Sequence, residues 1–246
     1  IPGKILIAIE EMLNELHGEN HKIGHYFDMI AGTSTGGILT ALYLMPDDKG
    51  NYRYSAQDAI DLYLKYGEQI FSRSFFQKLR SLFGLIEEKY SAKNLEMGLQ
   101  SFMGSTELKQ LLKPCLITSY EISQRTEYFF NSIDAQKDSD YNYYLKDVAR
   151  ATSAAPILFE LAQIKRLAGS ELHLIDGRMV ANNPALCAYA EARHAFNTKD
   201  KAADIVMLSL GTGKNLQPYN YKKARNWGLA KWLSPVISIL MSSSSN

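Results

Sequence analysis

Apolar positions recur along the chain with two periods, one typical of helices and the other of strands. The opening residues carry an apolar side chain every three or four positions, which predicts an amphipathic helix whose apolar face is formed by Ile5, Ile9, Leu13 and Leu16. The same period predicts helices at residues 55–70, 91–102, 144–152 and 183–196, and a short helical turn at 106–112. Ser55 and Asp58 are spaced to cap the helix at 55–70.

Short runs of apolar, β-branched and aromatic residues predict strands between these helices. The runs cover residues 27–31, 114–119, 126–131, 171–175 and 205–210. Strands that alternate with helices favour a parallel sheet covered on both faces. We therefore expect an α/β fold with three layers, α/β/α, around a mostly parallel central sheet.

Composition limits the class of protein. The chain has 246 residues, 46% of them hydrophobic, which is enough for one large α/β domain. Its formal net charge of +1 gives no argument for a nucleic-acid partner. Cys115 and Cys187 lie far apart in contexts typical of buried apolar residues, which favours a reducing compartment.

Contact with a membrane is expected only from outside. No apolar run reaches the roughly 20 residues that a helix needs to span a bilayer. The aromatic and basic segment at residues 71–85 would suit either a lipid surface or packing on the domain core. We expect a cytoplasmic protein with peripheral membrane contact.

Residues 27–39 carry the clearest chemical signal. A predicted strand at 27–31 leads to Ser34, which Gly32 and Gly36 flank in a G-x-S-x-G spacing, and an apolar helix follows. A serine at such a turn adopts a strained backbone, and its neighbours two positions away would crowd each other unless they are glycines. The pattern is that of a nucleophile elbow. A plain packing turn remains open, whereas a phosphate loop is disfavoured because no Lys-Ser or Lys-Thr follows the glycines.

The helix after Ser34 predicts where negative charge would be stabilised. Its first N–H groups have no acceptor within the helix and point towards any group bonded to Ser34 Oγ. Gly32, Thr35, Gly36 and Gly37 therefore form the predicted elbow and oxyanion region.

A serine hydroxyl is a weak nucleophile until a neighbouring base accepts its proton. None of the five histidines follows a strand in a turn; His25 and His173 are the nearest candidates, and His194 lies near the end of a helix. Asp176 ends an apolar strand and Gly177 turns the chain, and ligands bind at that end of the strands in parallel sheets. A carboxylate can act as the base if burial raises its pKa, although Asp before Gly is also common in turns and caps.

Four segments together resemble the patatin-like phospholipase family. They are GTSTGG at 32–37, RATSAAP at 150–156, DG followed by ANNPA within 176–185, and SLGTG at 209–213, in the family's order over about three quarters of the chain. The resemblance implies a patatin-like fold and a phospholipase A type lipid acyl hydrolase that forms an acyl-enzyme. It assigns the nucleophile to Ser34 and the general base to Asp176, without a histidine.

The resemblance also implies a glycine-rich oxyanion loop after a first strand. The chain starts at IPGKIL, which resembles the segment directly after that loop. We therefore expect residues 1–246 to be a single patatin-like domain whose first strand, oxyanion loop and a C-terminal segment lie outside them. Calcium independence is implied as well, and since the sequence has no zinc-helix or EF-hand motif, no metal or cofactor is expected.

Arg178 departs from the family, which usually has a second glycine after Asp-Gly. Its charge could lower the pKa of Asp176, or its guanidinium could bind a phosphate head group, and both interpretations stay open. Arg150 is expected to have a packing role. Asn182 and Asn183 are expected to orient the Asp176 loop or to cap the next helix.

Two other functions stay open on the sequence. A non-catalytic lipid-binding or regulatory module could retain the fold, which Arg178 and the missing loop would allow. An acyltransferase or thioesterase could use the same acyl-enzyme. The expected partner is a phospholipid membrane surface, with a small-molecule activator left open and no nucleic acid.

Overall fold

The computed structural model describes residues 1–18, 20–70, 92–156, 159–167, 169–196, 202–213 and 218–228, together with Lys231, Trp232, Pro235, Val236 and Ile239. Within them, the α-helices are α1 (Pro2–His17), α2 (Thr35–Leu44), α3 (Ala56–Ile70), α4 (Ala92–Met103), α5 (Ser132–Lys137), α6 (Leu145–Thr152), α7 (Arg178–Ala181), α8 (Ala185–Ala195) and α9 (Tyr221–Ala224). The strands are β1 (Ile30–Thr33), β2 (Cys115–Glu121), β3 (Thr126–Asn131), β4 (Ala162–Lys165) and β5 (Glu171–Asp176). The predicted aromatic segment at 71–85 lies outside the described residues.

Strand β2 organises a five-stranded sheet in the order β1-β2-β5-β4. Residues 115–118 of β2 pair in parallel with β1, and residues 119–121 pair antiparallel with β5. β3 pairs antiparallel with residues 116–121, so it occupies the other edge of β2. β1 and β5 therefore share one edge of β2, and their carboxyl ends meet there.

The α/β class and the helices on both sides of the sheet are confirmed. The sheet itself is mixed rather than mostly parallel: in the described residues β1–β2 is the parallel pair, and the other three pairs are antiparallel. The reason lies in the connections. Residues 122–125 join β2 to β3 and residues 166–170 join β4 to β5, and such short connections can only form hairpins.

The prediction of a strand at 205–210 is wrong. These residues have no regular secondary structure, and Val206 is 99% exposed. No described strand pairs with them, and an apolar run forms a strand only where a partner supplies hydrogen bonds. The four-residue strand β4 was not predicted, because its single alternation of buried and exposed positions is too short to stand out.

Helix α1 forms where expected but buries a different face. The residues packed inward are Gly3, Ile7 and Glu10, whereas Leu16 is 75% exposed. The Glu10 carboxylate accepts hydrogen bonds from the N–H groups of Ile23 and of Ala56, which begins α3. The helix is oriented so that this buried carboxylate satisfies two main-chain donors. The hydropathy pattern does not predict that orientation, because it counts a glutamate as a surface residue.

Helix α2 is the central helix of the fold. Every residue from Gly37 to Leu44 is buried. A Cβ on Gly37 would lie 2.8 Å from Ile117 Cγ2 of β2 and 2.9 Å from Thr152 Cγ2 of α6. Because α2 cannot shift without displacing β2 and α6, it fixes the position of Ser34, which directly precedes it.

The predicted cap of α3 is confirmed. Ser55 N–H donates to Asp58 Oδ2 at 2.9 Å, and Asp58 N–H donates to Ser55 Oγ at 3.0 Å. These reciprocal bonds satisfy main-chain donors at the helix start and have the geometry of a capping box. The cap holds the first turns of α3, which carries Tyr63 towards the Ser34 region.

Arg150 has the packing role expected for it. Its side chain lies in α6, where the residue is 5% exposed. Its Nε donates to Glu96 Oε1 of α4 at 3.1 Å, and its Nη2 donates to the main-chain oxygen of Glu160 at 2.8 Å. The guanidinium thereby joins α4 to the segment before β4 and holds α6 in place.

The remaining expectations from composition concern the cysteines and membrane helices. Cys115 is buried and Cys187 is half-buried, and both are free, as expected. Among the described helices, none combines the length and the apolar character that crossing a membrane requires.

Candidate active site

Ser34 occupies a strained turn between β1 and α2. Its φ and ψ are 57° and −123°, and it is one of two residues other than glycine with positive φ in the described chain. Its N–H donates to Thr152 Oγ1 at 2.8 Å, and its main-chain oxygen accepts from Gly37 N–H at 2.9 Å. Such a backbone costs about 1–3 kcal/mol and persists only where the surroundings hold it, which is typical of functional residues.

Gly32 is required by the turn, whereas Gly36 is not. A Cβ on Gly32 would lie 2.3 Å from the main-chain oxygen of Gly36 and 2.5 Å from Thr40 Oγ1. Among the described residues, a Cβ on Gly36 would meet no atom within 4 Å. The predicted crowding therefore exists at Gly32 and not at Gly36, where the described residues leave space for a Cβ.

Asp176 reaches Ser34 through the register of β2. Thr33, the last residue of β1, pairs with Thr118, and Asp176, the last residue of β5, pairs with the adjacent Ser119. The sequence predicted that Asp176 ends a strand, but β5 runs antiparallel to β2 and not parallel. The two residues meet because the strands approach each other end to end along one edge of β2.

Gly177 is required directly after Asp176. A Cβ at that position would lie 2.1 Å from Thr118 Oγ1 and 2.4 Å from the main-chain oxygen of Thr118. No L side chain fits in this space without moving β2. The Asp-Gly pair therefore lets the chain turn immediately against β2 while the carboxylate stays beside Ser34.

The side chains of Ser34 and Asp176 form a direct hydrogen bond. Ser34 Oγ donates to Asp176 Oδ2 at 2.7 Å, and the two residues are 6% and 1% exposed. The other carboxylate oxygen, Oδ1, accepts the main-chain N–H of Arg178 at 2.9 Å. Both oxygens of the carboxylate are thus held, which fixes the orientation of Oδ2 towards the serine.

Burial raises the pKa of Asp176 above the ordinary value for an aspartate, because the charged form loses its solvation. The positive charge of Arg178 and the hydrogen bonds from Arg178 N–H and Ser34 Oγ act in the opposite direction. Desolvation is the largest contribution, so the net shift is upward. The expectation that Arg178 would lower the pKa describes a real contribution that burial outweighs.

Three threonines support the turn from below, and sequence reasoning missed them. Thr152 Oγ1 accepts the Ser34 N–H and donates to the main-chain oxygen of Thr118 at 2.7 Å. Thr33 Oγ1 lies 2.8 Å from Thr118 Oγ1 and donates to the main-chain oxygen of Ala181. The available signal was the position of Thr152 inside the RATSAAP segment.

The histidines lie elsewhere. His173 Nδ1 is 3.1 Å from Ser123 Oγ, in the turn between β2 and β3. His25 contacts the main chain of Lys22, and His194 is exposed in the last turn of α8. In the described part of the chain, the side chain that receives the Ser34 hydroxyl hydrogen bond is Asp176.

Other residues that the sequence singled out lie at the starts of two helices. Asn183 Oδ1 accepts the N–H of Ala185, the first residue of α8, at 3.0 Å, so it satisfies a main-chain donor at the helix start, although Pro184 occupies the N-cap position. Thr35 and Gly36 lie in the first turn of α2, where main-chain N–H groups have no acceptor within the helix. Among the described residues, no group of three or more His, Cys, Asp or Glu is placed to hold a metal ion.

Comparisons with known proteins identify the family. A family model described as "Patatin-like phospholipase" matches residues 6–189. "Patatin-like protein 1" of Arabidopsis thaliana is 34% identical over 99% of this chain and 64% of its own length. "Patatin-like protein 1" of Oryza sativa subsp. indica is 31% identical over 100% of this chain and 65% of its own length.

A further relative, "Probable inactive patatin-3-Kuras 1" of Solanum tuberosum, is 30% identical over 100% of this chain and 68% of its own length. The chain spans just under two thirds of the length of the Arabidopsis and rice proteins. Relatives at this level of identity thus include one that is named as inactive.

The two glycines around Ser34 give a matched test of the turn. We expect Gly32→Ala to lower the free energy of unfolding by about 3 kcal/mol or more, because its Cβ would collide with main-chain atoms that cannot move independently of Ser34. Gly36→Ala meets open space, so we expect equal or up to about 1 kcal/mol higher stability from helix propensity. Urea unfolding measures both, and equal stability of the two variants would contradict the described turn.

Proposed function

The chain belongs to the patatin-like phospholipase family, and we propose that it cleaves fatty-acyl esters of phospholipids with Ser34 as nucleophile and Asp176 as general base. Lipid acyl hydrolysis is supported at the level of the family. The observation that carries the finer assignment is the 2.7 Å hydrogen bond from Ser34 Oγ to Asp176 Oδ2 within a buried, strained turn.

The first step forms an acyl-enzyme. Ser34 Oγ attacks the ester carbonyl carbon while its proton moves to Asp176 Oδ2 along the existing hydrogen bond. The tetrahedral intermediate then collapses, the bond to the lysolipid oxygen breaks, and that oxygen takes the proton from Asp176. The serine is left esterified to the fatty acid and the carboxylate is again ionised.

Main-chain donors at the start of α2 support stabilisation of the oxyanion. The N–H groups of Thr35 and Gly36 have no acceptor within the helix, and the positive end of the helix dipole lies at the serine. Preorganised donors of this kind contribute about 10²- to 10³-fold each to the rate. The open space over Gly36 gives the carbonyl oxygen room to approach them.

The second step releases the fatty acid. A water molecule takes the place of the lysolipid, gives a proton to Asp176 and attacks the acyl carbon. Collapse of this second intermediate breaks the bond to Ser34 Oγ, which recovers its proton from Asp176. Neither reaction step uses a metal ion. We also propose that the protein contacts a phospholipid surface peripherally, because its substrate lies there.

A non-catalytic lipid-binding module is the second candidate. It is favoured by one observation, the name of the potato relative, which describes that protein as probably inactive. The two candidates differ in whether Ser34 is needed for turnover. Transfer of the acyl group to an alcohol, or its removal from a thioester, would share the first step and differ in the product.

Substitutions at the two side chains test the assignment. With full-length protein and mixed phospholipid vesicles in EDTA, we expect Ser34→Ala to abolish fatty-acid release. We expect Asp176→Asn to lower kcat by about 10²- to 10⁴-fold, because the amide cannot accept the serine proton. Ser123→Ala and Asp204→Asn change an exposed serine and an exposed aspartate, and they serve as matched controls with wild-type rates.

Each outcome separates the candidates. Full activity in Ser34→Ala would refute the nucleophile, and full activity in Asp176→Asn would refute the base. Vesicle binding without release by the wild type would favour the lipid-binding module. Unfolding midpoints of all variants show whether a lost rate reflects lost structure.

The raised pKa of Asp176 predicts an acid limb in the pH profile. The protonated carboxyl cannot accept the Ser34 proton, so kcat/KM falls as the pH decreases through the pKa of Asp176 and is level above it. Because burial raises that pKa, the midpoint lies above the ordinary value for an aspartate. The measurement is kcat/KM for an uncharged acyl ester, and a midpoint at or below the ordinary aspartate value would contradict the described burial.

A further inference from the structure

Arg178 places a positive charge beside Ser34 and Asp176 that the reaction steps do not use. It begins α7, and its main-chain N–H is fixed by the 2.9 Å hydrogen bond to Asp176 Oδ1. Its side chain is half-buried. Among the residues that the structure describes, no hydrogen bond or ion pair engages its guanidinium, although such groups are usually paired when desolvated.

Two hydroxyl groups lie near the serine. Thr35 directly follows Ser34, and its Oγ1 lies 3.5 Å from the hydroxyl of Tyr63, which α3 supplies. The charge of Arg178 lowers the pKa of both the Asp176 carboxyl and the Tyr63 hydroxyl, although burial raises each pKa more. Thr35 follows Ser34 in the chain, Tyr63 contacts Thr35, and Arg178 is hydrogen-bonded through its main chain to Asp176, so three different segments meet around the pair of Ser34 and Asp176.

These three side chains have the chemistry of a phosphate site. A guanidinium presents paired N–H donors that match phosphate oxygens, and hydroxyl groups add further donors. The carboxylate of Asp176, two residues before Arg178, is 1% exposed and has both oxygens engaged, by Ser34 Oγ and by Arg178 N–H. The guanidinium can therefore accept an external anion without giving up a partner.

The chemistry of a glycerophospholipid matches this arrangement. Its phosphate lies only a few covalent bonds from the acyl ester at the neighbouring glycerol carbon. An ester that is bound at Ser34 thus brings its phosphate close to the residues around the serine. A neutral diacylglycerol presents the same ester and no anion.

We propose that Arg178, with the hydroxyl groups of Tyr63 and Thr35, binds the phosphate of a glycerophospholipid while its acyl ester faces Ser34. The inference rests on the proposed function, and it adds a reason why the protein would prefer phospholipids to neutral acyl esters. It chooses between the two roles that the sequence left open for Arg178. The charge of Arg178 also lowers the pKa of Asp176, and burial outweighs that contribution.

The test compares phosphatidylglycerol with diacylglycerol of the same acyl chains, each in mixed micelles of a neutral detergent, using full-length protein. We expect Arg178→Gln to lower kcat/KM for phosphatidylglycerol by roughly 10- to 100-fold relative to diacylglycerol, the size of a charge-assisted hydrogen bond. Arg178→Lys keeps the charge without the paired donors and is expected to lie between. If a substitution at Arg178 also changes the pKa of Asp176, it changes kcat/KM for both substrates, and this change cancels in the ratio of the two values.

The control is Arg193→Gln, which removes an exposed arginine of α8 and is expected to leave the ratio unchanged. An unchanged ratio in Arg178→Gln would overturn the inference, and so would an equal loss on both substrates. Hydrolysis that survives Ser34→Ala would instead refute the proposed function. If Ser34 is required and the ratio is insensitive to Arg178, only the phosphate site is wrong.

Inorganic phosphate at constant ionic strength distinguishes the source of the anion. Competitive inhibition of phosphatidylglycerol hydrolysis that disappears in Arg178→Gln is expected if the lipid phosphate occupies this site. Inhibition of wild-type diacylglycerol hydrolysis that is lost in Arg178→Gln, together with an unchanged substrate ratio, would show a site for free phosphate. That result would overturn the assignment to the lipid head group.

Discussion

Strand β2 is the part of the molecule on which the contact between Ser34 and Asp176 depends. Thr118 and Ser119 of β2 are adjacent, and they pair with the last residues of β1 and β5. Because the two strands end head to head on one edge, the turns that follow them must share a small space. Gly32 and Gly177 make this approach sterically possible, and the threonines beneath it satisfy the main-chain groups that the turns leave unpaired.

Burial favours the chemistry of this site in two ways and also has a cost. It raises the pKa of Asp176, which makes the carboxylate a better proton acceptor near neutral pH, and it removes water that would compete for the serine. An ionised buried carboxylate is costly unless hydrogen bonds hold it. Ser34 Oγ and Arg178 N–H supply these bonds, so the interactions that position the base also permit its charged form.

The local features of the site could be predicted from the sequence, because each depends on residues close together along the chain. The turn at Ser34, the cap at Ser55 and the strand that ends at Asp176 are of this kind. The predictions that were wrong concern features that depend on residues distant in the sequence. The inward face of α1 follows from the contact of Glu10 with Ala56. Residues 205–210 do not form a strand because no described strand pairs with them. Thr152 belongs to the same class, since its role arises only when α6 packs against β2.

Labelling with a lipid-like fluorophosphonate tests most directly whether the contact with Asp176 makes Ser34 a nucleophile. The reagent forms a bond from phosphorus to the serine oxygen and releases fluoride, while the base takes the serine proton. We expect one adduct, located on Ser34 by peptide mass spectrometry, which forms much more slowly in folded Asp176→Asn. An adduct on another serine, or equal rates of labelling in the wild type and Asp176→Asn, would contradict this expectation.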